Sequence, residues 1–126
     1  MNKWKHFDPA VDIKLVCSCG CGRMEMQDSF MKKLVNIREI VDMPFMVTSG
    51  FRCPAYNNEV SSTGFRGPHT TGRAIDIAVT GSRMRYLIIK TAMKIGINRI
   101  GIAKTFVHLD DLTFFDGFDE EVAWPY

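Results

Sequence analysis

The sequence predicts an α+β fold, a small and mainly antiparallel sheet with helices packed on one face. Two stretches carry a helical apolar period, one starting at Asp28 and one at Ser82. Short runs of alternating character lie between and after them, without the strict strand–helix alternation of a doubly wound sheet. The last two of these runs are separated by a connection of hairpin length. At 126 residues the chain reads as one domain, 1–126, with residues 1–26 as a Cys-containing N-terminal arm and 112–126 as a C-terminal tail.

Taken in order, residues 1–16 are mixed, and Val11, Ile13 and Leu15 alternate weakly enough for a short edge strand or an extended arm. Cys17-Ser18-Cys19-Gly20-Cys21-Gly22 is too glycine-rich for a helix interior. From Asp28, an expected N-cap, Phe30, Leu34, Ile37 and Val41 recur at helical steps, and Pro44 marks the end. Phe45–Ser49 reads as a strand broken by Gly50. Pro54 suits the first turn of a short helix through Val60. Residues 61–68 form a loop that delivers His69. Residues 74–79 alternate as a strand: Ala74, Asp76 and Ala78 share one face, and Ile75, Ile77 and Val79 the other. Ser82 is the expected N-cap of a helix that ends at Gly96, where a left-handed cap belongs. Arg99–Ala103 and Thr105–Asp110 follow as strands. The second of these sets Phe106, His108 and Asp110 on one face, and the residues after it show no period.

A net charge of +2 with no basic run argues against a nucleic-acid partner. No apolar stretch approaches the ~20 residues of a membrane helix, so no membrane insertion is expected. The start of the chain lacks the apolar core of a secretory signal, which implies synthesis in the cytoplasm without a signal peptide. A monomer is expected.

His69, Asp76 and His108 are the candidate metal ligands. Asp76 sits between two alanines on the face opposite the aliphatic one, leaving space for something to approach it, and His108 has the same parity on its own strand. A catalytic zinc takes three nitrogen, oxygen or sulfur ligands and keeps one position for water. A plain His69–Asp76 hydrogen bond, with His108 at the surface, accounts for the same residues.

Three pieces of the chain carry a resemblance. They are Thr48-Ser49-Gly50-Phe51-Arg52 with Asn57 shortly after, then His69-x-x-Gly72-x-Ala74-x-Asp76, then Phe106-Val107-His108-Leu109-Asp110. In this order, and over about half the chain, they resemble the zinc D-Ala-D-Ala peptidases, in the group that includes lysostaphin-type enzymes and the Hedgehog signalling domain. The chain is similar in particular to the short cell-wall peptidases of phages and prophages, often with a Cys-rich start and a Trp-aromatic end. The resemblance implies a Hedgehog/D,D-peptidase-like fold and Zn2+ held by His69, Asp76 and His108. It implies hydrolysis of an amide bond in peptidoglycan stem peptides, as a D,D-carboxypeptidase or endopeptidase of endolysin type. Its site of action would be the bacterial cell wall, reached after release or as part of a phage particle.

Arg52 matches the family's arginine, associated with the carboxylate or carbonyl side of the substrate; a guanidinium can grip the one or polarise the other. A surface salt bridge is the plainer role for it. Several relatives carry Glu or Asp three residues before the last histidine, where this chain has Thr105, and threonine cannot take a proton from water at neutral pH. Asp110 is the nearest replacement, as general base or as a partner that orients His108. Asp111 should face the other way.

Cys17, Cys19, Cys21 and Cys53 are expected to be free, partly buried thiols. A second, structural zinc is conceivable, although the spacing is not a usual one. His6 lies in a charged segment and is assigned no role. The missing acid at Thr105 favours an alternative, a catalytically weak or inactive zinc-containing module that binds cell-wall peptides; a metal-free phage structural domain is a third reading.

Overall fold

The computed structural model describes residues 4–126, so the first three residues of the expected arm lie outside the described residues. In chain order the elements are α1 (Asp28–Val41), β1 (Val47–Ser49), α2 (Pro54–Val60), β2 (Ala74–Ala78), α3 (Ser82–Ile95), β3 (Arg99–Ile102), β4 (Phe106–Asp110) and β5 (Val122–Pro125), with short 3-10 turns between them. The strands form one sheet in the order β1-β2-β4-β3-β5. Three neighbouring pairs are antiparallel and the outermost, β3 with β5, is parallel. This is the α+β architecture expected.

One face of the sheet is the core. Ile75, Ile77, Val107, Leu109 and Ile100 meet Phe30, Met31, Leu34, Ile37 and Val41 of α1, and Met84, Ile88 and Ala92 of α3. Each such side chain contributes about 1.5–3 kcal/mol relative to exposure. With the aliphatic parity spent on the core, Asp76, His108 and Asp110 are left to the opposite face.

Several element ends differ from expectation. Gln27, not Asp28, is the N-cap of α1, because Asp28 already has helical geometry and its carboxylate accepts a bond from Trp4 Nε1 at 2.9 Å. Gly81 precedes α3 in place of Ser82, whereas Gly96 is the left-handed cap expected. Among the described residues the N-terminal arm forms no edge strand. Val11 and Ile13 are exposed, Leu15 is buried, and residues 13–15 make a 3-10 turn. The arm is still tied down, since Gly50 N–H donates to Lys14 O (2.9 Å) and Phe51 N–H to Leu15 O (3.4 Å). The C-terminal tail departs furthest, because its end is β5, the fifth strand of the sheet. Pro125 is tolerated there because β5 is an edge strand.

Candidate metal centre

The register of the sheet assembles the site. Ser49, Asp76, His108, Gly101 and Trp124 lie side by side in one row across the five strands, and Ala74, Asp110, Arg99 and Val122 make the next row. His69 enters from a 3-10 turn, Pro68–Thr71, whose C-cap is Gly72 in the left-handed region at φ 73°. A Cβ at Gly72 would lie 1.8 Å from the carbonyl oxygen of Glu25, so the position excludes any side chain. The glycine of His-x-x-Gly thus lets the histidine turn fold directly into β2.

His69, Asp76 and His108 are all buried, and their nearest donor atoms lie within 4.8 Å of one another. Asp76 Oδ1 is 2.9 Å from His108 Nδ1 and 3.4 Å from His69 Nε2. The far side of each ring is occupied. His69 Nδ1 lies 2.8 Å from the Gly50 carbonyl, and His108 Nε2 lies 2.7 Å from Asp110 Oδ2. Both partners are acceptors, so both of those nitrogens carry the hydrogen. The two inward nitrogens then present lone pairs to a single carboxylate oxygen. Three lone-pair donors facing one another need a cation or an added proton between them.

The charge balance leans the same way. Burial pushes the Asp76 carboxyl up, but its bonds to His108 and His69 outweigh this and hold it well below the usual carboxylate range. Burial pushes His108 down, and the carboxylates of Asp110 and Asp76 more than reverse this. Two imidazoles and one carboxylate, each imidazole held by a second partner, are a donor set that suits zinc.

The three residues line a cleft of about 840 Å³. Arg52 and Arg66 stand on its loop side, and Phe118, Trp124 and Tyr126 on its β5 side. Arg52 Nη1 donates to Asn57 Oδ1 at 3.0 Å. Asn57 is fully buried and its Nδ2 donates to Thr63 Oγ1 (2.9 Å) and Gly64 O (2.6 Å), bracing the loop that delivers His69. Asp110 is fully buried. Its Oδ1 accepts from Arg99 Nε at 2.7 Å and from the Leu112 backbone at 3.2 Å, while Oδ2 faces His108. Asp111 points away into ion pairs with Lys33 and Arg73, both at 2.8 Å. Thr105 is exposed and does not line the cleft.

The structure adds residues that sequence reasoning missed. Arg99 is buried between the rings of Phe118 (5.0 Å) and Trp124 (5.1 Å) and also donates to the Asp119 carbonyl at 2.8 Å. The Trp124 ring lies 5.4 Å from that of His108, over Gly101. A Cβ at Gly101 would come within 2.7 Å of both Trp124 Nε1 and Tyr126 Cε2. Gly101→Val should therefore lift the aromatic wall away from the site, raising KM more than it lowers kcat. Steady-state kinetics on a peptide substrate check this; an unchanged KM would mean the aromatic wall does not touch substrate. Parity alone could have flagged Arg99 and Gly101 as site-facing, but not the strand that covers them.

Two imidazoles and one carboxylate converging at the floor of an open cleft make a candidate mononuclear metal centre, a donor set of the kind hydrolytic zinc sites use. Residues 6–110 match the family model described as Peptidase M15, and the chain belongs to that family of zinc-dependent metallopeptidases. No curated protein and no solved structure gives a match. The matched span holds all three candidate ligands, Arg52 and Asp110, and β5 with its aromatic wall follows it.

Proposed function

We propose that the chain hydrolyses an amide bond in peptidoglycan stem peptides, as a D,D-carboxypeptidase or endopeptidase of endolysin type. The observation that carries this is the convergence of His69, Asp76 and His108, both rings locked from behind, beneath a cleft bordered by Arg52. Zinc held by these three residues would supply Lewis-acid polarisation of the scissile carbonyl and acidify a bound water.

The chain's own residues do the rest. Arg52, held by Asn57, offers its remaining N–H groups to a carboxylate or carbonyl of the peptide, and Arg66 adds positive charge on the same side. Trp124 and Tyr126 give the opposite wall an apolar surface that excludes water from the bound peptide. Asp110 acts as a positioning residue, because both of its oxygens are engaged away from solvent. Among the described residues lining the cleft, Asp119 is the exposed carboxylate with no side-chain hydrogen bond, and it is the group available to exchange protons there. On this reading the chain works as a monomer at the bacterial wall, after release or within a phage particle, without nucleic-acid or membrane partners.

Mass spectrometry of products from purified wall peptides, with and without chelator, tests the proposal. Loss of terminal D-alanine indicates a carboxypeptidase, and cleavage of cross-links an endopeptidase. Tight binding with no product would favour the alternative of an inactive wall-binding module, which Thr105 in the acid position supports. Arg52→Lys should raise KM about tenfold with a smaller change in kcat, because the ammonium loses the bidentate grip. An unchanged KM would remove Arg52 from the substrate site.

A further inference from the structure

The four cysteines play no part in the hydrolytic site, yet the fold brings them together. Cys17 and Cys19 Sγ lie 3.5 Å apart, Cys19 and Cys53 Sγ 3.7 Å apart, and the four sulfurs all fall within 4.8 Å of one another. A tetrahedral zinc with Zn–S bonds of about 2.3 Å sets its sulfurs about 3.8 Å apart. The separations are far beyond the roughly 2.05 Å of a disulfide, and all four thiols are free.

We propose that Cys17, Cys19, Cys21 and Cys53 form a second metal site, a structural tetrathiolate centre for zinc. It staples the N-terminal arm to the segment that carries Arg52.

The surroundings are those of a built site. The Cys53 N–H donates to Cys17 Sγ at 3.3 Å, and the Cys17 N–H to the Arg23 carbonyl at 2.9 Å, closing the loop around the sulfurs. Gly20, at positive φ, turns the chain between Cys19 and Cys21, and Gly22, also at positive φ, turns it again just after Cys21. Arg23, 5.3 Å over the Phe51 ring and ion-paired to Glu25 at 2.6 Å, lies beside the cluster. Sulfur alone as donor selects a thiophilic ion over magnesium or calcium.

The location gives the centre a purpose. Cys53 ends the segment Gly50–Cys53. Within it, the Gly50 carbonyl fixes the His69 ring, and the Arg52 N–H donates to the His69 carbonyl at 3.1 Å. A clamp at Cys53 therefore steadies one ligand of the hydrolytic centre and its arginine together.

The test is a metal count on the full chain, purified with reductant and without chelator. Two zinc equivalents are expected in the wild type, and one in His69→Ala/His108→Ala. Cobalt loaded into that double variant should show a sulfur-to-metal charge-transfer band, which nitrogen and oxygen ligands do not give. Should the double variant not fold, titrating the wild type with a mercurial in the presence of a chromogenic chelator decides the matter. Release of one zinc in step with modification of the four thiols is expected. Thiol modification without zinc release, absence of the cobalt band, or intact-mass evidence of disulfides would each overturn the proposal. None of these readouts requires hydrolytic activity, so the site stands or falls apart from the hydrolase assignment.

Discussion

His108→Ala should lower turnover of the proposed wall-peptide substrate by about 10³-fold or more, which corresponds to about 4 kcal/mol of lost transition-state stabilisation. The chain should also lose one equivalent of bound zinc. The reasoning is local. His108 supplies one of three inward donors, and its removal leaves Asp76 Oδ1 with only His69 Nε2 at 3.4 Å. Two ligands do not hold a catalytic zinc against water. The fold should survive, because His108 faces away from the core and its neighbours Val107 and Leu109 provide the buried aliphatic surface of β4. Metal analysis, turnover and a melting curve on one preparation separate these effects. Wild-type turnover in this variant would remove the centre from the chemistry. Loss of turnover with an early melt would assign His108 to the fold.

Two of the three candidate ligands, Asp76 and His108, were legible as facing one side of the sheet because β-strands repeat every two residues. Asp76 between alanines, and His108 between Val107 and Leu109, declare a face without any knowledge of the partner strand. Their register was not legible. That Asp76 pairs with His108 and both pair onward to Gly101 and Trp124 depends on the order β2-β4-β3-β5, which no local pattern encodes. The last strand was hidden for a related reason. β5 is a parallel edge strand with half-buried Val122 and Trp124, and the exposed rings of Phe114 and Phe115 before it blur any alternation. The cysteine cluster was half visible: Cys17, Cys19 and Cys21 align in sequence, but Cys53 joins them only because Lys14 and Leu15 pair with Gly50 and Phe51. Sequence period reports a residue's own face, whereas long-range pairing reports who shares it.

Asp110, left at the sequence level as either base or orienter, offers the sharpest division between two mechanisms. Asp110→Ala should cost about 3–5 kcal/mol of stability, because it leaves the Arg99 guanidinium buried without its carboxylate. Asp110→Asn is gentler on the fold and more informative. Arg99 Nε–H and the Leu112 N–H both donate to Oδ1, so the amide oxygen must take that side. The amide NH2 then faces His108 Nε2, where a hydrogen is already in place. To avoid two opposed donors the imidazole must move its proton to Nδ1, the nitrogen that faces Asp76. A protonated Nδ1 cannot ligate a metal. Asp110→Asn should therefore weaken zinc binding by about 10–100-fold, with activity recovering as zinc is raised. A general base at Asp110 predicts the opposite pairing, normal zinc affinity with activity lost at every zinc concentration. Nitrogen-15 chemical shifts of the His108 ring report the tautomer directly, and a hydrogen remaining on Nε2 in the variant would refute the orienting role.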